Sequence, residues 1–307
     1  MKPKSSFRYH LLALATIAVW GVTFVNTKVL IGAGMQPAAI FACRFILAYA
    51  GLWLYMLAAG KAPQIWNGWK DEGVFLLLGV TGGSLYFLTE NTALYYTQAC
   101  NVSFLVSSAP LFTAIFTLLY ARFGKSRFAR SLEKVCLGWP LVTGTILALT
   151  GMALMVFEGQ KIQLSARGDL LAIAAALCWA VYSLFMGQMT REYGALLATR
   201  KVFFYGLITI LPFLGGCMDS FTPDILLQRA VWTNLLFLGI VASLLCFLVW
   251  NLVIDRLGNV TCTNYVYLNP VFTLLTAMAF LGESLTLLAA VGAVAILLGV
   301  ICAGKRS

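Results

Sequence analysis

Long apolar blocks alternate with short polar connections along the whole chain. Each block holds about twenty residues, which is enough for a helix to cross a hydrocarbon core of roughly 30 Å. Apolar runs of this length are typical of membrane-spanning helices and are too long for buried strands. Ten blocks are therefore predicted to span a membrane: Leu11–Ile31, Pro37–Ala59, Val74–Tyr96, Val102–Ala121, Cys136–Phe157, Gly168–Met189, Val202–Met218, Thr233–Ile254, Cys262–Leu281 and Leu285–Ala303.

Composition and charge agree with a membrane protein. Of the 307 residues, 61% are hydrophobic and 10% are charged, whereas a soluble domain is about half apolar and a quarter charged. The net charge of +10 could suggest nucleic acid, but the basic residues lie in the connections, where the positive-inside rule explains them. No nucleic-acid partner is expected. The same rule predicts that both termini lie in the cytoplasm, with the chain in the cell membrane.

The second half of the sequence repeats the first half. The segment FLLLGVTGGSLYFLTENTAL aligns with LLFLGIVASLLCFLVWNLVI, which places Asn91 on Asn251, and Trp20 aligns in the same order with Trp179. Because each half has five predicted spans, the second copy must enter the membrane from the opposite side. We therefore expect an all-α integral membrane fold of ten transmembrane helices, arranged as two inverted five-helix repeats over residues 1–158 and 159–307.

Several motifs at repeat-related positions resemble those of a known family. The fourth and ninth spans open with APLFT and NPVFT, and LGESLT follows at Leu281 to Thr286. With the paired tryptophans, these motifs are similar to the drug/metabolite transporter superfamily, EamA-like branch. The first half departs from the pattern, since RFGKS stands where the Gly-Glu would be. The resemblance implies a ten-helix carrier with a central substrate cavity that opens to each side in turn, and it implies no particular substrate.

Three charged residues lie at least three residues inside predicted spans, in the outer third of the membrane: Lys28, Arg44 and Glu90. An ionised side chain at membrane depth costs roughly 3 kcal/mol unless it faces a cavity or a partner. We predict that these residues form one polar cluster at the outer end of a transport path. The alternative is a structural pair of Glu90 and Arg44 that only holds helices together.

Glu90 also belongs to a polar helical face. Gly79, Gly83, Tyr86 and Glu90 are spaced four, three and four residues apart, which places them on one side of a helix. The two glycines favour close approach of a neighbouring helix, and Tyr86 and Glu90 are then predicted to point at a cavity.

Other polar and aromatic residues inside the spans complete a predicted substrate site. Tryptophans well inside their spans suit a cavity wall, with helix packing as the alternative. The full predicted set is Trp20, Lys28, Arg44, Tyr86, Glu90, Asn91, Trp179, Asn251, Tyr265 and Asn269. Pro110 and Pro270 occupy equivalent positions in the two halves and are predicted hinges, with a simple packing kink as the alternative.

These features favour a secondary transporter, and more specifically an exporter, of a small polar or amphipathic metabolite such as an amino acid, moved by alternating access. Aromatic rings suit an apolar moiety, a basic side chain suits a carboxylate, and Glu90 suits an amine. The alternative is an intramembrane enzyme, for which no nucleophile and base pair is visible. His10 is the only histidine, so no metal site or cofactor is expected. The expected partners are a small-molecule substrate and the lipid bilayer, and a homodimer stays open.

Overall fold

Helices make up most of the described residues, which in this computed structural model are 6–60, 64–124, 139–159, 165–281 and 287–303. No strand occurs among them. In chain order the helices are α1 (Ser6–Gly32), α2 (Pro37–Ala58), α3 (Trp69–Tyr96), α4 (Ala99–Phe123), α5 (Trp139–Gly159), α6 (Ala166–Tyr193), α7 (Ala195–Leu214), α8 (Arg229–Leu257), α9 (259–281) and α10 (Leu287–Ala303).

Seven of these helices are long and apolar enough to cross a membrane, namely α1 to α4 and α6 to α8. Shorter apolar segments lie in α5, over Val142–Leu154, and in α10, over Ala290–Ala303. The all-helical, multi-pass character predicted from the sequence is confirmed. The count of ten spans stays a prediction.

Glycines separate helices where the chain must reverse sharply. Gly194 alone lies between α6 and α7 with φ of +79°, and Gly258 alone lies between α8 and α9 with φ of +84°. Backbone in this left-handed region favours glycine, which has no Cβ to clash. Pro37 begins α2, where its missing N–H costs nothing because the first helical turn leaves that donor unused.

The predicted boundaries of the seventh span were seven residues late at its start and four residues late at its end. Helix α7 begins at Ala195 and ends at Leu214, whereas the span was expected at Val202–Met218. Arg200 and Lys201 were assigned to a loop because they are charged, but both are buried inside α7. Most of the LGESLT motif and most of the connection between α4 and α5 fall outside the described residues.

Four helices are interrupted midway, in two matching ways. Helix α3 contains a π-helical segment at Val80–Ser84, and α8 contains one at Phe237–Leu245. Helix α4 breaks in a turn at residues 107–108, and α9 changes to a 3₁₀ segment at Asn264–Leu268. Such interruptions leave backbone groups that can serve side chains or ligands, and they are common at functional sites.

The helices pack around an aromatic centre. Helix α1 lies against α8 and α9, α6 lies against α3 and α4, α2 contacts α8, and α3 contacts α7. The rings of Trp20 and Trp179 meet edge to face with their centroids 5.2 Å apart, and Trp20 also contacts Phe247 and Trp250 at 5.6 and 4.9 Å. Helices α5 and α10 form a separate pair. The aromatic centre positions the site described next.

Candidate functional site

A narrow cavity lies beside the aromatic centre, between side chains from α1, α2, α3, α4, α6, α8 and α9. It encloses about 30 Å³ of space open to a water molecule, enough for roughly two waters. Aromatic rings form much of the wall. The polar side chains on the wall are Thr23, Arg44, Tyr86, Glu90, Trp179 and Asn269.

Arg44 supplies the positive charge of the cavity. Its side chain is 2% exposed, its Nε donates a hydrogen bond of 2.9 Å to Ser243 Oγ, and its guanidinium carbon lies 4.4 Å from the centre of the Phe87 ring. Among the described residues the hydrogen bonding of Arg44 uses Nε, so the terminal nitrogens Nη1 and Nη2 can serve a ligand. A guanidinium held in this way can bind a carboxylate with two parallel hydrogen bonds.

Glu90 supplies the negative charge. It is 6% exposed, and its Oε1 accepts a hydrogen bond of 3.2 Å from the Tyr86 hydroxyl one helical turn away. Both residues line the cavity, as their shared helical face predicted. The stripe also brings Gly79 against Tyr205 of α7, where a Cβ would collide with the neighbouring backbone.

Arg44 and Glu90 share the cavity without forming a direct ion pair. Between described residues, the ion pairs within 4.0 Å join Lys201 to Glu72 and Arg256 to Asp255. The structural ion pair of Glu90 with Arg44, which was the alternative interpretation, is therefore absent, although both side chains line the same cavity. This arrangement leaves each head group available to a third partner.

Lys28 does not line this cavity, contrary to the expectation that it joins the other two charges. Its ammonium donates to the backbone carbonyl oxygens of Leu94 at 2.5 Å and Thr97 at 2.8 Å. These carbonyls belong to the last turn of α3 and to the residue that caps it, where a cation satisfies unpaired acceptors and interacts favourably with the helix dipole. Lys28 therefore caps a helix.

Trp20 and Trp179 both line the cavity, but their indole N–H groups differ. The Trp20 Nε1 donates a hydrogen bond of 2.9 Å to the backbone oxygen of Ala242, inside the π-helical segment of α8. The Trp179 Nε1 is buried and has no hydrogen-bond partner among the described residues. The two tryptophans are related by the sequence repeat, yet they are not equivalent in their bonding.

Asn91 and Asn251 lie outside the cavity lining and join helices instead. Asn91 Nδ2 donates a hydrogen bond of 3.0 Å to the Pro37 carbonyl oxygen. Asn251 Nδ2 donates one of 2.8 Å to Thr199 Oγ1, and its Oδ1 accepts one of 2.6 Å from the Tyr182 hydroxyl. Their contact with a substrate stays a prediction. Both side chains are fully buried, and Asn91 Oδ1 has no hydrogen-bond partner among the described residues.

On α9, Asn269 lines the cavity and Tyr265 does not. The Tyr265 hydroxyl is hydrogen-bonded to His10 Nδ1 of α1 at 2.6 Å. Asn269 is 4% exposed, and its side-chain Oδ1 has no hydrogen-bond partner among the described residues.

Pro110 and Pro270 each begin a regular helical segment directly after an interruption. Pro110 lies in the first turn of Ala109–Phe123, and Pro270 in the first turn of Asn269–Leu281. Proline fits these positions because first-turn N–H groups have no partner within the helix. Their role as hinges stays a prediction.

Two parts of the structure were missed from the sequence. Ser243, which holds Arg44, is a single serine in an apolar run, and its only signal is its alignment with Gly83. The buried ion pair of Glu72 with Lys201 was missed because Lys201 was placed in a loop. Within the described ranges, no group of three His, Cys, Asp or Glu side chains is placed to hold a metal ion.

Comparisons with known proteins agree with this architecture. The model of the "EamA-like transporter family" matches residues 7–157 and 166–304. A solved crystal structure, 20% identical, superposes with a TM-score of 0.72 over 96% of this chain and 98% of its own. At that identity the likeness shows the fold alone.

The curated relatives are named as transporters. A protein of Salmonella typhimurium named "Probable amino-acid metabolite efflux pump" is 29% identical over 301 residues, 94% of this chain and 92% of its own. An "Uncharacterized transporter" of Archaeoglobus fulgidus is 27% identical over 95% of both chains. A "Probable terminal-alkyne amino-acid exporter" of Streptantibioticus cattleyicolor is 26% identical over 95% of this chain and 92% of its own. Because the family match covers both halves of the sequence, the chain belongs to the EamA-like family of the drug/metabolite transporter superfamily and is a multi-pass membrane transporter.

Proposed function

We propose that the protein exports a small amino-acid-like metabolite across the cell membrane by alternating access. The observation that carries this proposal is one cavity with a buried guanidinium and a buried carboxylate that do not pair with each other. The names of two relatives, an amino-acid metabolite efflux pump and an amino-acid exporter, support the choice of substrate class and the outward direction.

The chemistry of the cavity suits a zwitterion. Arg44 can bind a carboxylate through its free terminal nitrogens, and Glu90 can bind an ammonium group. The aromatic wall offers contact to an apolar side chain. A substrate with both charges neutralises both buried head groups at once, whereas a substrate with one charge leaves the other head group uncompensated.

The cavity must change shape during transport. A volume of about 30 Å³ holds water but not an amino acid, so the site must widen before a substrate can bind. The interruptions in α3, α4, α8 and α9 are places where these helices can bend. We propose that their bending opens the cavity to each side of the membrane in turn, with Pro110 and Pro270 as hinges.

We propose an architecture of ten spans in two inverted repeats. In the proposed symmetry, helices α1 to α4 exchange with α6 to α9 in the same order. The contact of α1 with α9 then becomes the observed contact of α6 with α4, and that of α1 with α8 becomes the observed contact of α6 with α3. The contact of α2 with α8 likewise becomes that of α7 with α3. The π-helical segments of α3 and α8 also coincide under the repeat alignment. Asn91 reaches the first residue of α2, and its counterpart Asn251 reaches the first turns of α7.

The packing of α5 on α10 gives independent support to a two-fold axis. Gly144 lies against Gly299, and Gly151 lies against Gly292. The sequence repeat aligns Gly144 with Gly292 and Gly151 with Gly299. Each contact is therefore converted into the other by exchanging the halves, as an isologous interface requires. The partner number falls as the residue number rises, so the two helices run antiparallel, which fits an axis in the membrane plane.

The orientation proposed from the basic residues places both termini in the cytoplasm of a plasma-membrane protein. A homodimer is compatible with this arrangement.

The proposal is tested with purified protein in liposomes loaded with a labelled amino acid. Glu90→Gln keeps the size of the side chain and removes its charge, so the initial rate of efflux should fall at least tenfold while the protein still folds. Asp255→Asn is the matched control, because Asp255 pairs with Arg256 away from the cavity and its loss should leave the rate unchanged. Wild-type efflux and pH profile in Glu90→Gln, with only a lower melting temperature, would show that Glu90 merely holds helices together.

A further inference from the structure

Two neutral polar groups of the cavity have no hydrogen-bond partner in the described part of the chain. They are the indole Nε1 of Trp179 and the side-chain Oδ1 of Asn269. Both residues line the cavity, and each is 4% exposed. An indole N–H can only donate and a carbonyl oxygen can only accept, so each group requires a complementary partner. Water can fill that role between transport events, since the cavity has room for roughly two water molecules.

The free N–H of Trp179 is not a general property of the paired tryptophans. Trp20, its counterpart in the first half, lines the same cavity and donates to the Ala242 backbone oxygen at 2.9 Å. The rings of the two tryptophans touch, so they share one apolar environment. Trp20 is therefore bound into the scaffold through its N–H, while Trp179 keeps its donor for another molecule.

Within the described part of the protein, Trp250 also has an unpaired indole N–H, but it lies outside the cavity lining. Its Nε1 is also buried without a partner among the described residues, and its ring lies 6.3 Å from that of Trp179. Trp250 does not line the cavity. An unpaired indole N–H thus occurs at two neighbouring positions, but only the one at Trp179 meets the space where a substrate would lie.

We propose that Trp179 and Asn269 form the neutral half of the substrate site. The N–H of Trp179 donates to a carboxylate oxygen of the substrate, which Arg44 also binds. Asn269 Oδ1 accepts a hydrogen bond from the substrate ammonium, which Glu90 also binds. This inference rests on the proposed function and deepens it, because it assigns a charged and a neutral group to each end of an α-amino acid.

The assignment follows from matching donors with acceptors. In an amino acid the carboxylate is the strongest acceptor and the ammonium group is the strongest donor, and hydrogen bonds to charged groups exceed those between neutral groups. A carboxylate has two oxygens and several lone pairs, so it can accept from Arg44 and Trp179 together, and an ammonium can donate to Glu90 and Asn269 together. The four groups come from α2, α3, α6 and α9, so the bound substrate links both halves of the chain.

The N–H of Trp179 and the side-chain oxygen of Asn269 should then determine which substrates are accepted. A site with a buried hydrogen-bonding group discriminates against an analogue that lacks the matching group, because the protein atom is then left unpaired. A decarboxylated amine removes the acceptor for Trp179, and a deaminated acid removes the donor for Asn269. Each analogue should therefore be sensitive to one substitution and insensitive to the other.

The test measures KM in liposomes for one amino acid, its decarboxylated amine and its deaminated acid. Trp179→Phe should raise KM for the amino acid and the acid by about tenfold or more, relative to the amine. Asn269→Leu should raise KM for the amino acid and the amine by about as much, relative to the acid. Trp250→Phe, which removes an unpaired N–H outside the cavity, should leave these KM ratios as in the wild type.

The outcomes separate this inference from the function on which it rests. If the wild-type protein moves none of the amino acids tested, the proposed function fails and this inference fails with it. If the wild type transports an amino acid but Trp179→Phe and Asn269→Leu keep the wild-type ratios, only this inference is overturned. If Trp179→Phe does not fold, the Asn269→Leu ratios decide, and unchanged ratios there overturn the inference.

Discussion

Replacing Glu72 by leucine should strongly destabilise the protein, because it leaves a buried ammonium group without its counter-ion. Glu72 on α3 and Lys201 on α7 form an ion pair of 2.5 Å, and each side chain is 5% exposed. The carboxylate also accepts hydrogen bonds from the Asn67 N–H at 2.9 Å and the Tyr205 hydroxyl at 2.5 Å. Its removal therefore breaks three hydrogen bonds and strands one cation.

The expected magnitude follows from this burial. Removing one partner of a buried ion pair costs about 3–5 kcal/mol, mainly through the uncompensated charge, whereas an exposed pair contributes less than about 1 kcal/mol. Lys201 retains a bond to the Ile65 carbonyl oxygen, which softens the loss without neutralising the charge. Lys201→Met should cost a similar amount because it strands the carboxylate.

The double variant Glu72→Leu with Lys201→Met is the informative measurement. It buries two apolar side chains in place of two charges, and such replacements are often neutral or stabilising. Its cost should therefore fall well below the sum of the two single costs, with a coupling energy of about 3 kcal/mol.

Thermal melts of the purified protein in detergent, followed by tryptophan fluorescence, can measure these costs. At about 2–4 °C per kcal/mol, each single variant should lower the melting temperature by roughly 6–20 °C. All variants must be scanned at one rate, since irreversible unfolding makes the midpoint depend on rate. Single-variant shifts of only a degree or two, or strict additivity in the double variant, would refute the claim that the charges depend on each other.

Three further predictions concern packing, the scaffold and topology. Gly151→Leu should destabilise the pair of α5 and α10 by about 1–3 kcal/mol, because a Cβ there would lie 2.5 Å from the Gly292 carbonyl oxygen; unchanged thermal melts would contradict this. Asn251→Leu should cost about 1–3 kcal/mol by leaving the buried Tyr182 hydroxyl unpaired, while adding Tyr182→Phe, which removes that hydroxyl, should recover part of the cost in the same melts. A cysteine at Ser126, in an otherwise cysteine-free protein, should react with an impermeant thiol reagent only from the cytoplasmic side, and labelling from outside would reverse the proposed orientation.

Residue positions were predicted most accurately from the sequence where they depend on the geometry of a single helix. Tyr86 and Glu90 are four residues apart, so helical geometry alone places them on one face, and both line the cavity. The apolar blocks likewise marked helices well, because a span buries its own backbone hydrogen bonds and needs no distant partner.

The sequence predicted poorly where partners come from distant segments. Lys28 lies 66 residues from the carbonyl of Leu94 that it caps, and no local pattern relates them. Lys201 was assigned to a loop because it is charged and its counter-ion, Glu72, lies 129 positions away in the sequence. The repeat alignment places Trp20 on Trp179 but does not show how their N–H groups are bonded. In the structure the Trp20 N–H is hydrogen-bonded, and the Trp179 N–H has no partner among the described residues.

The central claim is that one buried guanidinium and one buried carboxylate recognise a substrate of both charges. Exchange of a labelled amino acid across liposomes containing the wild-type protein tests it most directly, with the unlabelled amino acid, its decarboxylated amine or its deaminated acid on the opposite side. Exchange should be rapid with the amino acid and at least tenfold slower with either analogue that carries one charge. Equal exchange with all three compounds, or none with any amino acid tested, would contradict it.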